Sequence, residues 1–176
     1  MRKIVLLYGS ISGVLMIVNF LVTMTMMHYG MNNTELVGYA SMIVVLSVIF
    51  FGIKSFRDKN NNGLISFGKG FQVGLLITSI ASIFYATGWE AYYNGVPGVK
   101  ETFMDKYIDS RINKMKQEGK SQEMIDATKK EMNNMKEMYT NPFIRYGMTL
   151  AEIFPVGVVI ALISAGILRK KNVLPV

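Results

Sequence analysis

The segment that decides the fold runs from Tyr146 to Leu168 and reads YGMTLAEIFPVGVVIALISAGIL. It contains one acid, Glu152, and neither Lys nor Arg. As a helix it extends about 35 Å, which is enough to cross the hydrocarbon core of a bilayer. Because backbone amides in hydrocarbon must be paired within the segment, the sequence predicts a membrane-spanning α-helix here.

Three further segments are comparably apolar and long, over approximately Ile4–Met27, Leu36–Ile53 and Gly70–Tyr93. The first follows two basic residues, as a secretory signal does, but its apolar stretch is too long and no small-residue cleavage pattern follows it. We therefore expect an uncleaved first span. Together the four segments predict an all-α, integral membrane four-helix bundle that forms a single membrane domain over residues 1–176.

The composition favours a membrane protein and excludes several kinds of site. Hydrophobic residues make up 51% of the chain and charged residues only 18%. The formal charge of +7 would suit nucleic acid in a soluble protein, but membrane insertion favours basic residues at the ends of spans. We therefore expect the lipid bilayer, and no nucleic acid, as a partner. The chain has no cysteine, which excludes disulfides, thiol nucleophiles and thiolate metal ligands.

The distribution of basic residues predicts the orientation of the spans. Nine of the 19 Lys and Arg residues lie before the first span, between the second and third, and after the fourth, with Asp58 as the only acid among them. The other ten lie between the third and fourth spans, where eight acids nearly balance them. The loop over residues 29–35 has neither Lys nor Arg. Since cytoplasmic segments carry an excess of basic residues, we expect both termini and the second loop to lie in the cytoplasm.

Small residues recur at four-residue spacing in three of the spans. Such faces let helices approach closely, which matters where lipid gives no hydrophobic drive for helix association. The spacing predicts close packing within the chain, with a homo-oligomer as the alternative use of these faces. The residues are Gly9 and Gly13, Gly70 and Gly74, and Gly157, Ala161 and Ala165.

The segment between the third and fourth spans, at about residues 102–140, is charged, rich in methionine and helical in pattern. Apolar residues recur at three- and four-residue spacing on both sides of Gly119, a natural helix stop, and Ser121, a good N-cap. The sequence therefore predicts an extracytoplasmic helical hairpin. Because so short a pair of helices buries little area, its apolar faces need each other, the bilayer surface or a partner.

Three methionines in the second helix of this hairpin, Met132, Met135 and Met138, form a candidate interaction face. Thioethers are soft ligands that suit copper(I), but methionine commonly fills loosely specified helical interfaces. No cysteine or nearby histidine supports a metal site. We therefore expect no metal and no cofactor, and a protein partner bound through the hairpin.

Two acids lie inside spans and form the core of a candidate intramembrane polar site. Glu90 is near the outer end of the third span and Glu152 about two turns into the fourth. Ionisable residues at such positions usually face a bundle interior or a wet cavity. His28 and Glu35 flank the first loop on the same predicted side, so the four could bind a cation or proton. The alternative is that Glu90 is interfacial and that Glu152 is protonated or hydrogen-bonded inside the bundle.

The sequence gives little support to an enzyme. Residues Gly63–Lys69 fit the first part of the phosphate-binding pattern G-x-x-x-x-G-K, but Gly70 stands where a magnesium-binding hydroxyl belongs. The single histidine, His28, belongs to no H-E-x-x-H motif and no nucleophile triad. We expect no enzymatic activity, and a membrane-embedded enzyme is only the third alternative.

Several stretches along the chain resemble a bacterial four-span membrane family known as domain of unknown function 4199. The resemblance covers essentially the whole chain, with the hairpin least distinctive. It implies the bacterial inner membrane and four spans, and it carries over no activity or functional residue. The matching stretches are residues 38–42, 51–58, 62–71, 139–143 and 152–157.

These observations favour a small inner-membrane protein with a non-enzymatic role as an accessory, scaffold or interaction protein. The alternative is an ion- or proton-linked transporter that uses the intramembrane carboxylates.

Overall fold

The computed structural model describes residues 1–28 and 34–170, with the side chains of all of these except residues 27, 28, 34 and 35. Within these ranges the chain is built of helices, and the all-α prediction is confirmed. The helices are α1 (Arg2–His28), α2 (Thr34–Leu46), α3 (Val48–Asn60), α4 (Phe67–Gly95), α5 (Val99–Gln117), α6 (Gln122–Tyr139) and α7 (Pro142–Leu168).

Four stretches are long and apolar enough to cross a membrane, at Arg2–Met26, Leu36–Asn60, Phe67–Gly95 and Pro142–Leu168. Only 28% to 44% of the most apolar part of each is buried within the protein. The exposed remainder consists largely of Leu, Ile, Val and Phe side chains, which a water-soluble protein would bury and a bilayer accommodates. The prediction of four helices that are long and apolar enough to span a membrane is thus confirmed.

The second span consists of two helices, because α2 and α3 are separated at Ser47. The Ser47 amide is shared between the carbonyls of Ile43 and Val44, at 3.0 and 3.2 Å, and its hydroxyl donates to the Val44 carbonyl at 2.6 Å. A serine that binds the preceding turn in this way locally disturbs a helix. The helix then continues to Asn60, about two turns beyond the predicted end of the span at Ile53.

The described residues group into two compact units. The first unit takes the described residues of Met1–Thr87 and Leu150–Val176, and the second is Gly88–Thr149. Because α4 and α7 each contribute to both, the prediction of a single membrane domain remains a prediction.

The core of the first unit is packed through the predicted small residues. A Cβ atom at Gly13 would lie 2.5 Å from Cβ of Phe84, and one at Gly74 would lie 2.7 Å from Cβ of Ala161. A Cβ atom at Gly157 would overlap the side chain of Thr78. These approaches bring α1 against α4 and α4 against α7, so neighbours from the same chain already fill these small-residue faces.

The loop between α3 and α4 pairs with the chain that follows α7. The amide of Ile65 donates to the carbonyl of Lys170 at 3.0 Å, and the amide of Lys170 donates to the carbonyl of Ile65 at 2.9 Å. Arg57 also donates to the carbonyl of Leu168 at 3.5 Å. A helix therefore precedes the glycines of the G-x-x-x-x-G-K segment, whereas a phosphate-binding loop follows a strand.

The second unit contains α5 and α6, which pack against each other through one apolar cluster. The turn between them has the predicted chemistry: Gly119 has a φ of 69°, and the Ser121 hydroxyl accepts from the Met124 amide at 3.4 Å. Lys136 Nζ of α6 also donates to Asp105 Oδ1 of α5. The cluster contains Ile108, Ile112, Met115, Ile125 and Met132, with Tyr107 and Met135 packed beside it.

Candidate functional site

The strongest polar arrangement in the described residues joins Glu90 of α4 to Arg145 of α7. Arg145 Nε donates to Glu90 Oε1 at 2.7 Å, and Nη2 donates to Oε2 at 2.7 Å. Two parallel hydrogen bonds of this kind match the planar fork of guanidinium to a carboxylate. The Arg145 side chain is only 3% exposed and that of Glu90 is 20% exposed, so water screens the pair little.

The guanidinium of Arg145 also makes contacts beyond Glu90. Its Nη1 donates to the carbonyl of Tyr139 at 3.0 Å. Its Cζ lies 4.1 Å from the ring centroid of Tyr93, within the range of a cation–π interaction. Asn94 adds a hydrogen bond to Glu90 Oε2 at 3.1 Å. We call this set of contacts the Arg145–Glu90 clamp.

The clamp is embedded in an aromatic cluster formed by α4, α5 and α6. Trp89 and Phe103 have ring centroids 4.7 Å apart, Phe103 and Tyr139 6.0 Å, and Tyr93 and Tyr139 5.7 Å. Such spacings favour edge-to-face or offset contacts and exclude water. The clamp and the cluster together connect the ends of four helices, α4 to α7. The members of the cluster are Trp89, Tyr92, Tyr93, Phe103, Tyr107 and Tyr139.

The local sequence around Asn141 positions Arg145. The Asn141 side chain accepts from the amides of Phe143 and Ile144, at 2.9 and 3.4 Å, and Pro142 occupies the first position of α7. This is the pattern of a capped helix start, in which proline loses nothing because its amide would be unpaired anyway. Arg145 is then the fourth residue of the helix, and its amide donates to the Asn141 carbonyl at 2.9 Å.

The clamp restricts what Glu90 can do chemically. Both carboxylate oxygens accept from one guanidinium, so the positive charge of Arg145 already compensates Glu90 and opposes the binding of a cation there. Removing one partner of such a buried pair costs about 3–5 kcal/mol, because the other charge remains buried and unpaired. The geometry is that of a fixed joint between helices.

A protein-family model described as "Protein of unknown function (DUF4199)" matches residues 7–170. The chain belongs to this family. The match covers nearly the whole DUF4199 chain, including the clamp, and it confirms the resemblance noted in the sequence. No curated protein and no solved structure matches the chain significantly.

The other predicted site residues of this DUF4199 chain have different surroundings. Glu152 is exposed and lies in the first unit, whereas Glu90 lies in the second, and the polar pocket that they were predicted to share remains a prediction. The side chains of His28 and Glu35 lie outside the described residues. Within the described part of the chain, no group of three or more His, Asp or Glu residues is placed to hold a metal ion.

The three methionines of the predicted interaction face do not share one environment. Met132 is buried in the cluster between α5 and α6, and Met135 packs beside it. Met138 is 50% exposed, and Met124, which is not part of the cluster, is 52% exposed. The exposed methionine surface of α6 in this DUF4199 chain is therefore Met124 and Met138, with Met135 at its edge.

The sequence analysis did not identify Arg145 as a site residue, although it is the most buried cationic side chain among the described residues. A fourth span that begins at Tyr146 leaves Arg145 in the preceding charged segment. The signal that could have found it is the Asn141-Pro142 pair, which is a helix start and so places Arg145 inside the helix. An arginine inside a span needs a partner, and Glu90 and Glu152 were the two unexplained acids inside spans.

Proposed function

We propose that this DUF4199 chain is a multi-pass protein of the bacterial inner membrane with a non-enzymatic role as an accessory or scaffold protein. In this proposal α5 and α6 form an extracytoplasmic helical hairpin that binds a protein partner. Both termini and the basic loop between the second and third spans lie in the cytoplasm, as the distribution of Lys and Arg favours.

The observation that carries the proposal is the Arg145–Glu90 clamp with its aromatic cluster. A bidentate, nearly buried ion pair fixes the ends of α4 and α7, and the aromatic rings connect them to α5 and α6. Two short helices with a small shared core have little stability of their own. A rigid joint at their base makes them suitable for presenting a surface to another protein.

The surface of α6 offers a specific contact region for such a partner. Met124, Glu131 and Met138 are separated by seven residues each, which places them on one face of the helix. Both methionines are about half exposed, and Glu131 between them is also exposed. Flexible, polarisable methionines beside a charge are typical of adaptable protein-binding surfaces.

Photo-crosslinking in intact membranes tests this proposal. A photoreactive amino acid placed at Met138 should give a discrete crosslinked product with a second protein. The matched control is the same amino acid at Asn133, which is also exposed but lies on another side of α6. Equal products from both positions, or none from Met138, would overturn the contact region.

An ion- or proton-linked transporter is the alternative function, and its support is Glu152, an acid inside a span with no hydrogen bond or ion pair among the described residues. Purified protein in liposomes should then move protons or cations, and Glu152→Gln should abolish that flux. Glu90→Gln tests the same function separately, because Glu90 is engaged by Arg145. A wild type without flux excludes the transporter.

A further inference from the structure

The acids within the four spans differ in how their charge is compensated. Asp58 accepts from Arg57 at 2.7 Å, and Glu90 accepts twice from Arg145. Glu152 has no hydrogen bond or ion pair with any residue in the described part of the chain, and its side chain is exposed. An acid of this kind within a span requires a partner from outside the described chain or must stay neutral.

Glu152 also lies deep in its helix. Ten residues separate it from Pro142 and sixteen from Leu168, or about 15 Å and about 24 Å along the axis. An ionised carboxylate at such depth is costly, and the protonated acid is the form that hydrocarbon accepts. A protonated carboxyl group carries both a hydrogen-bond donor and an acceptor.

The residues around Glu152 form a continuous exposed face of α7. Pro155, Val159, Ile163 and Gly166 follow Glu152 at helical spacing, and all are exposed, Val159 at 53% and Ile163 at 57%. Nothing approaches Gly166 within 4 Å of a Cβ position, so another helix can come close there. The opposite side of the same stretch is buried and consists of Ile153, Gly157, Ala161, Ser164 and Ala165.

Pro155 adds a second polar feature to this face. Proline has no amide hydrogen, so the carbonyl of Ala151, four residues earlier, lacks its usual donor within the helix. That carbonyl lies next to Glu152 in the chain, and Ala151 is itself exposed. The face therefore presents one hydroxyl donor and at least two acceptors in surroundings that are otherwise apolar.

We propose that this face of α7 binds the same face of a second copy of the chain. Across a two-fold axis each patch meets itself, so Glu152 of one copy would face Glu152 of the other. A protonated carboxyl is complementary to itself, since each can donate to the other or to the neighbouring Ala151 carbonyl. The small-residue faces at Gly13, Gly74 and Gly157 are filled from within the chain, whereas the face around Glu152 is exposed and carries an acid.

Disulfide crosslinking tests the proposal directly, because the chain has no native cysteine. Val159→Cys in membranes should form a dimer of twice the monomer mass on oxidation. The matched control is Val14→Cys on α1, whose valine is 52% exposed against 53% for Val159. Equal crosslinking at both positions, or none at Val159, overturns the proposal, and so does a product with a different protein.

The role of Glu152 is tested in the Val159→Cys background. Glu152→Leu should lower the association constant of the dimer about tenfold, which appears as a smaller crosslinked fraction. Glu152→Gln should keep most of the dimer, because an amide also donates and accepts hydrogen bonds. Unchanged dimerisation in Glu152→Leu would overturn the role of the carboxyl group. Because these variants leave α6 intact, their outcome is independent of crosslinking at Met138.

Discussion

The two units of the molecule differ in the contacts that stabilise each of them internally. In the first, helices approach at glycines and alanines, and the buried polar groups are hydroxyls such as Thr78, which donates to the Gly74 carbonyl at 2.9 Å. In the second, the ion pair of Arg145 with Glu90 is nearly buried, and its guanidinium lies beside aromatic rings. The second unit shows that a span can carry a charge where the same chain supplies an oppositely charged partner. The first unit shows that uncharged helices approach closely through small residues.

The largest expected effect comes from breaking the clamp. Arg145→Leu should lower the local free energy of unfolding of the second unit by about 3–5 kcal/mol, because Glu90 is left buried without its partner. Hydrogen exchange of α5 and α6 in membrane discs measures it. Lys116→Leu, an exposed cation on α5, is the control and should change little.

A double variant separates lost pairing from lost packing at the same position. Arg145→Leu with Glu90→Leu should recover most of the lost protection, since neither charge then remains unpaired. If the double variant is as unstable as the single one, the pair does not explain the stability of this unit.

The next effect concerns the close packing of the first unit. Gly157→Ala should destabilise it by about 1–3 kcal/mol, because the new methyl group meets Thr78. Thermal unfolding in detergent measures the change. Gly147→Ala on the same helix has open space around it and lies outside the face proposed to bind a second copy, so it should not destabilise the protein. Similar losses for both would mean that contact with Thr78 does not decide the result, since the helix propensity of alanine favours both variants.

A smaller effect is expected at the turn between α5 and α6. Ser121→Ala removes the side-chain acceptor of the Met124 amide and should cost about 1 kcal/mol of α6 stability. The loss should appear as faster hydrogen exchange in the first turn of α6. Ser121→Asp should preserve the protection from exchange, because aspartate also caps helices. If Ser121→Asp loses as much protection as Ser121→Ala, the side chain of Ser121 does not act as a cap.

The smallest effect is expected at the ion pair between Lys136 and Asp105. This pair has the same charges as the clamp, but its side chains are 42% and 55% exposed. Lys136→Ala should therefore cost only about 0.2–1 kcal/mol, and the loss should shrink with added salt. If Lys136→Ala lowered the free energy of unfolding as much as Arg145→Leu does, and independently of salt, burial would not explain the difference between the two ion pairs.

The sequence predicted much of the fold because lipid imposes a simple length and polarity rule on spans. The four helices that can span a membrane and the two helices between the third and fourth follow the prediction. The apolar residues at three- and four-residue spacing before Gly119 pack in one cluster, through Ile108, Ile112 and Met115. The helix of the second span continues past the predicted end of the span at Ile53, because the backbone remains helical through two largely polar turns from Lys54 to Asn60.

The candidate site was predicted only in part. Glu90 stood out because an acid within a span demands an explanation. Its partner Arg145 is distant in sequence, and tertiary packing alone brings the two side chains together. The methionine run was harder to interpret, since three-residue spacing drifts around a helix: Met132 turns inward and Met138 turns outward.

The pairing of Ile65 with Lys170 has a consequence for biosynthesis. The two backbone hydrogen bonds join an early loop to the chain just after the last span. During synthesis Ile65 leaves the ribosome long before Lys170, so its amide and carbonyl must wait until the last span has been threaded into the bilayer. A nascent chain that stalls earlier leaves both backbone groups of Ile65 without this partner.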